Sequence, residues 1–177
     1  MVRRSQTELA VLGALSVQPM TGYAVREAIR DVLGHFWSES FGQIYPTLAA
    51  LEEQGHVRRP DRAAPYELTA SGQRRLRDLL AEPAQKTPPR NGLMLRLFFG
   101  RQLGQAACRA LLHQARDDAE RQLAEYTGLR AAVAAEATPD TPYALLTISA
   151  GEHTARAALA WAEDSLAALD ALPGDQP

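Results

Sequence analysis

Cysteine is nearly absent from this sequence of 177 residues, since Cys108 is the only one. An internal disulfide and a site with several thiolate ligands are therefore excluded, which fits a reducing cytoplasm. The histidines are scattered with no pair four residues apart, and no apolar run approaches the roughly 18–20 residues that a membrane span requires. A Gly-rich phosphate loop, a nucleophile elbow and paired carboxylates are also missing. The sequence thus predicts no catalytic residue, metal, cofactor or membrane partner.

The two halves of the chain differ in net charge, although the total is only −2. Residues 1–90 contain 12 Arg and Lys against 10 Asp and Glu, a net of +2, whereas residues 91–177 contain 7 against 11, a net of −4. This asymmetry favours a nucleic-acid surface in the N-terminal half. Because the excess is small, affinity would have to come from individually placed arginines rather than from bulk charge.

Residues 36–57 contain the most informative pattern. Ser40 and Gln43 have the spacing of a capping box and Gly55 is a C-terminal stop, so we predict a helix from Ser40 to Gln54. The apolar stripe that we assign to the core is Ile44, Leu48 and Leu51. The opposite face carries Gly42, Pro46, Ala49 and Glu53. Small outward residues, with an amide and a phenol near the N-terminus, are typical of a helix that reads bases in the DNA major groove.

The flanking patterns place this helix in a small mixed domain. Ser5 begins a second capping box, which predicts the start of a buried helix, and Thr21 is predicted to cap the next helix. The apolar positions of that next helix are Val25, Ala28, Ile29 and Val32. Residues 57–59 and 66–68 indicate a two-stranded wing with a turn-rich tip, and Thr69 is predicted to cap a further helix.

Three short motifs occur in a fixed order along this domain. They are Gly22-Tyr23, then Trp37-x-x-Ser40-x-Gly42-Gln43-Ile44-Tyr45-Pro46-x-Leu48-x-x-Leu51-Glu52-x-x-Gly55, then Tyr66-x-Leu68-Thr69-x-x-Gly72. In this order they resemble the PadR family of bacterial transcriptional regulators, over roughly residues 5–80. The rest of the chain is similar, more weakly, to the helical C-terminal domain of the longer members.

This resemblance implies a mainly α fold: a winged helix-turn-helix domain over 1–82, a linker over 83–91, and a coiled-coil-like dimerisation and effector domain over 92–172. It also implies a cytoplasmic homodimer that binds a palindromic double-stranded DNA operator, usually as a repressor, and that a small molecule releases. Two other classes stay open. One is a small-molecule-binding sensor without DNA binding. The other is a small helical enzyme, which the missing catalytic constellations disfavour.

On the recognition helix, the motif assigns separate roles to four side chains. Gln43 is the best candidate for a contact with a base edge, while Ser40 and Tyr45 are expected to hold phosphate. Thr47 is expected to lie against DNA beside them. Pro46 indicates a first helical turn that is shaped for contact with DNA, although the alternative is simply a poorly formed turn.

On the wing and the second helix, four more residues are candidate DNA contacts. Arg58, Arg59 and Arg62 would contact phosphate or the minor groove, unless the hairpin is merely solvated. Because side chains alternate along a strand, only one of Arg58 and Arg59 should be a principal contact. Tyr23 either contacts phosphate or packs the start of its helix.

The C-terminal half is predicted to contain two long helices, over about 105–137 and from Thr141 onward, where Pro142 occupies the first helical position. The stripe of the second helix is Leu145, Ile148, Glu152, Ala155, Leu159, Ala162, Leu166 and Leu169. Its spacing of 3.5 residues predicts coiled-coil-like packing. The residues assigned to a dimer interface are Leu145, Ile148, Leu159, Leu166 and Leu169. Glu152 is expected to face solvent, with a role in partner register or effector contact as the alternative.

Aromatic residues of the C-terminal half are the candidate effector contacts. These are Phe98, Tyr126 and Trp161. A planar aromatic ligand could stack on them, although aromatics at helical spacing more commonly belong to a core.

Overall fold

The computed structural model describes residues 2–34, 37, 41–61, 63–84 and 91–173, with side chains for all of these except residues 2–5 and 41. The chain divides into two compact units, Met1–Thr87 and Pro88–Pro177, called the N-terminal and the C-terminal unit below. Most of the predicted linker, residues 83–91, lies outside the described residues. The predicted domain limits of 1–82 and 92–172 stay predictions.

The described part of the N-terminal unit is a winged helix-turn-helix, as predicted. Its elements are α1 (Val2–Val17), α2 (Gly22–Ala28), a π turn (Ile29–Leu33), a 3₁₀ turn (Phe41–Gln43), α3 (Ile44–Glu53), β1 (Val57–Arg58), β2 (Glu67–Leu68) and α4 (Ala70–Ala81). The two strands pair antiparallel, with Val57 opposite Leu68 and Arg58 opposite Glu67. This short sheet is the wing.

Helix starts in this unit follow their capping residues in two cases and not in a third. The Thr21 hydroxyl accepts from the Ala24 amide at 3.1 Å, and that of Thr69 accepts from Gly72 at 3.1 Å, so both predicted caps are confirmed. The start predicted at Ser5 is wrong, because α1 begins at Val2. A side-chain cap stabilises a helix start by about 1 kcal/mol, which does not prevent the preceding turn from being helical.

The core of the N-terminal unit lies where α1 packs on α3 and α4. The predicted stripe of α3 is confirmed, since Ile44 and Leu48 are 0% exposed and Leu51 is 2% exposed. Val32 is 66% exposed, so this apolar position of the second predicted helix does not belong to the core. The π turn has more residues per turn than an α-helix, and Leu33 packs against the core instead.

The C-terminal unit is helical throughout its described elements. These are α5 (Gly92–Phe98), α6 (Gly100–Leu103), α7 (Gln105–Glu136) and α8 (Thr141–Asp170). The two long helices have almost the predicted limits. Asp140 rather than Thr141 is the N-cap of α8, which places Pro142 at the second helical position. Proline is tolerated at this position, because the N–H that it lacks would have no partner within the helix.

No helix in the described part of the chain is long and apolar enough to cross a membrane.

Helices α7 and α8 form an antiparallel hairpin in which the ring of Tyr126 packs against the backbone of Gly151. A Cβ added there would lie 2.3 Å from Cζ of Tyr126, so the aromatic ring occupies the space that a side chain would need. Ile148, Ala155 and Ala162, all on the predicted α8 stripe, are buried within the single chain. The stripe therefore faces α7.

This packing bears on the predicted dimer interface, which stays a prediction. The residues concerned are Leu145, Ile148, Leu159, Leu166 and Leu169. Ile148 is buried and the other four are half-buried in one copy of the chain. A repeat of 3.5 residues indicates a helical partner but does not distinguish a helix of the same chain from one of another copy.

Candidate nucleic-acid interface

The first turn of the recognition helix differs from the predicted one. The α-helix begins at Ile44 after the 3₁₀ turn, so the continuous helix predicted from Ser40 is wrong, and Ser40 itself lies outside the described residues. Pro46 is the third residue of α3. Its missing N–H falls among the first four of the helix, which have no partner within it, so proline costs little at this position.

This start determines which side chains are presented to solvent. Gln43 is the N-cap residue of α3 and is exposed, and Tyr45 is 50% exposed. Pro46 and Ala49 are exposed as predicted. Thr47 is only 9% exposed, so its predicted outward position is wrong. It lies three residues after Ile44 and next to Leu48, and this spacing places it on the core face.

The Gly22-Tyr23 pair has a steric explanation that sequence reasoning missed. A Cβ at Gly22 would lie 2.8 Å from Cε1 of Tyr45, so the Tyr45 ring lies across the backbone at the start of α2. Tyr23, the next residue, is 62% exposed, and the guanidinium of Arg26 lies 6.0 Å from its ring centroid. Glycine at position 22 thus leaves the space that the Tyr45 ring of α3 occupies at the start of α2. No local pattern indicates such a contact.

The two neighbouring arginines of the wing have different partners. Arg58, whose side chain is 73% exposed, pairs across the sheet with Glu67 at 3.0 Å. The Arg59 side chain is only 24% exposed and pairs with Glu52 of α3. This hydrogen bond raises the pKa of the Arg59 guanidinium above its ordinary value. Arg62 lies outside the described residues.

The base of the wing is fixed to the segment that leads into α2. The Tyr66 amide donates to the Met20 carbonyl at 2.8 Å, and the Met20 amide donates to the Tyr66 carbonyl at 3.1 Å. The wing, α2 and α3 therefore form one connected surface. It presents Gln43, Tyr23, Tyr45 and Arg58 to solvent.

The predicted effector residues are not brought together. Phe98 is 83% exposed on α5, whereas the Tyr126 ring is packed at Gly151. Trp161 follows Gly151 on α8 by ten residues, which is ~15 Å along a helix. The three residues therefore do not line one pocket within a single copy, and their role in effector binding stays a prediction. An open apolar depression of about 290 Å³ lies elsewhere, lined by Leu95, Arg96, Phe99, Gln102 and Leu103.

Glu152 does not face solvent, so the expectation for it is wrong. The residue is 5% exposed, and its carboxylate accepts from Nε and Nη2 of Arg130 on α7 at 2.8 and 3.0 Å. Arg156 adds a third bond at 3.3 Å. The hydrogen bond with Arg130 is the main cause of a lowered pKa for Glu152. The bidentate pair fixes the register of α8 on α7.

Among the described residues, no group of three or more His, Cys, Asp or Glu side chains is arranged to hold a metal ion.

Two family profiles match the chain. Residues 11–78 match the family described as transcriptional regulator PadR-like. Residues 89–170 match the family described as virulence activator alpha C-term.

Two proteins are similar in sequence. The probable transcriptional regulator Rv1176c of Mycobacterium tuberculosis is 33% identical over 94 residues, which are 49% of this chain and 49% of that protein. The negative transcriptional regulator PadR of Bacillus subtilis is 32% identical over 99 residues, which are 51% of this chain and 54% of that protein. The chain therefore spans about half the length of the relatives that it matches in sequence.

Solved structures are similar over most of the chain. Bacillus subtilis PadR in complex with p-coumaric acid is 25% identical, with a TM-score of 0.79, over 92% of this chain and 98% of that one. The same regulator in complex with operator DNA is 24% identical, with a TM-score of 0.79 and the same coverage. The similarity includes the winged helix and the helical C-terminal part.

Proposed function

Since this chain belongs to the PadR-like family of transcriptional regulators, we propose that it is a cytoplasmic, homodimeric, sequence-specific DNA-binding repressor that an aromatic small molecule releases. The relative from Bacillus subtilis is named a negative transcriptional regulator, which supports repression rather than activation. Its structures with operator DNA and with p-coumaric acid support the two kinds of partner.

The proposal is supported chiefly by the exposure, on one winged helix-turn-helix, of both the start of α3 and an arginine of the wing. Gln43 has a free side-chain amide at the N-terminal end of the helix, which is the end that recognition helices place against base edges. An amide can bond an adenine at two positions. Tyr23, Tyr45 and Arg58 are exposed on the same domain and carry donors suited to phosphate, and phosphate contacts set the register on the duplex.

Self-association is proposed through a surface different from the α8 stripe. Helices α5 and α6 expose several large apolar side chains, which are Met94, Leu95, Phe98, Phe99 and Leu103. Apolar side chains grouped in this way on a protein surface mark an interaction site. A second copy of the chain would cover them and would supply the second recognition helix that a palindromic operator requires.

Effector binding is proposed at the depression between the same two helices. Arg96 gives its mainly apolar lining a positive group that suits the carboxylate of an aromatic acid. Leu95, Phe99 and Leu103 belong both to the depression and to the proposed dimer surface. A ligand bound there would change the association of the two copies, and by linkage operator DNA would weaken its binding by the same factor.

A footprint of the purified protein on DNA from upstream of its own gene tests the proposal. We expect protection of two half-sites related by a two-fold axis, with binding that weakens as salt is raised. Adding p-coumaric acid and related phenolic acids should remove the protection. Ligand binding without any protected DNA would instead indicate a sensor that does not bind DNA.

A further inference from the structure

We infer that Arg59 is a positioning residue for DNA binding, one that holds the wing against the recognition helix and does not itself contact phosphate. The inference rests on the proposed DNA-binding function. It separates Arg59 from Arg58, although the two are adjacent in sequence and equal in charge.

The contacts of Arg59 connect parts of the interface that are distant in sequence. Its Nε and Nη2 donate to the two carboxylate oxygens of Glu52, in the last turn of α3, at 2.9 and 3.1 Å. Its guanidinium lies over the ring of Tyr66, 4.6 Å from the centroid. Tyr66 in turn exchanges backbone hydrogen bonds with Met20, just before α2. Arg59 thus links the wing to both helices of the helix-turn-helix.

The geometry of this pair constrains direction as well as distance. A guanidinium and a carboxylate joined by two parallel hydrogen bonds must lie nearly in one plane. The ring of Tyr66 restricts that plane further. The wing needs such a constraint, because its strands contain only two residues each and a ladder this short is not stable by itself.

Exposure distinguishes the two arginines. The Arg58 side chain is 73% exposed and that of Arg59 is 24% exposed. To reach a phosphate, Arg59 would have to leave both Glu52 and the face of Tyr66. Arg58 would have to leave only Glu67 on the surface of the wing. Arg58 is therefore the wing residue suited to phosphate, and Arg59 determines where the wing points.

Removing the charge of Glu52 distinguishes this role from simple electrostatics. Replacing a carboxylate near DNA with an amide reduces repulsion from phosphate, so electrostatics alone predicts tighter binding. If Glu52 instead holds the wing through Arg59, Glu52→Gln should weaken operator binding. Glu53 is an exposed carboxylate on the same turn of α3 and provides the matched control, as Glu53→Gln.

The experiment measures binding of the full chain to its operator fragment over a range of salt concentrations. Glu52→Gln and Arg59→Gln should each weaken binding by about tenfold and keep the wild-type salt slope. Glu53→Gln should bind at least as well as wild type. Arg58→Gln should lower the salt slope by about one. Thermal unfolding checks that each variant is folded. If Arg59→Gln does not fold, Glu52→Gln alone tests the inference, because glutamine keeps the shape of the glutamate side chain.

Two results would overturn the inference. One is operator binding by Glu52→Gln that equals or exceeds that of wild type. The other is a salt slope for Arg59→Gln that is reduced as much as that of Arg58→Gln. A different result, wild-type protein with no salt-sensitive binding to its upstream DNA, would refute the proposed function and, with it, the inference.

Discussion

The two units of this chain bury their apolar residues in different ways. Among the described residues, the largest fully buried side chains, such as Leu12, Ile44 and Leu48, belong to the N-terminal unit. In the C-terminal unit the most completely buried positions are Ala155 and Ala162, while α5 and α6 leave large apolar side chains exposed. The N-terminal unit thus has a core complete within one copy, whereas the C-terminal unit has a thin core and an uncovered apolar surface. The C-terminal unit is therefore the part suited to binding a second copy of the chain.

The largest effect is expected from charges placed on that uncovered surface. Leu95→Glu combined with Phe98→Glu should prevent self-association, because two carboxylates would have to be buried. Operator binding should then be lost, since a single recognition helix cannot read both half-sites. Light scattering and a binding assay measure the two effects.

Leu80→Glu is the control in the N-terminal unit, where Leu80 is 64% exposed on α4. It should leave the oligomeric state and the operator affinity unchanged. A double variant on α5 that still forms dimers would refute the proposed surface. Dimer loss in Leu80→Glu would place the interface in the other unit.

A smaller effect is expected at Gly151 of α8, against which the ring of Tyr126 on α7 packs. Gly151→Ala gains up to about 1 kcal/mol of helix propensity, but its Cβ would lie 2.3 Å from Cζ of Tyr126. Overpacking costs about 1–3 kcal/mol, so the variant should be less stable by roughly 1 kcal/mol. Denaturant unfolding measures the difference.

Two other glycines are matched controls, because a Cβ at Gly13 of α1 or Gly128 of α7 meets nothing within 4 Å. Each change to alanine should stabilise its unit by roughly 0.5–1 kcal/mol. If Gly151→Ala were as stabilising as these, the ring of Tyr126 would not set the spacing of the hairpin.

The smallest effect concerns the acid sensitivity of the C-terminal unit. The pKa of Glu152 is lowered in the folded state, chiefly by its hydrogen bond with Arg130. Its contribution to stability is therefore present above its ordinary value of 4.5 and is lost as the pH falls through the lower folded value. Glu152→Gln should remove this part of the acid destabilisation of the hairpin. An identical dependence of unfolding on pH below 4.5 in the variant and in wild type would contradict the assignment.

The features that could be predicted from the sequence are those that depend on local patterns. The caps at Thr21 and Thr69, the core stripe of α3 and the extents of α7 and α8 each follow from residues a few positions apart. Thr47 was expected at the DNA because of the motif, although its spacing of three residues from Ile44 places it on the core face of the same helix. Glu152 was assigned to solvent because its partner, Arg130, lies on another helix. The dimer residues could not be assigned from the sequence, because a heptad pattern does not identify the chain that supplies its partner.

If the start of α3 reads DNA sequence, Gln43→Ala should weaken binding to the operator selectively. The measurement is the affinity of wild type and variant for the operator and for random DNA at one salt concentration. A bidentate contact between an amide and a base is worth about 1–3 kcal/mol, so operator affinity should fall by roughly 5- to 150-fold while binding to random DNA hardly changes. Equal changes on the two DNAs, or no change on the operator, would contradict the claim.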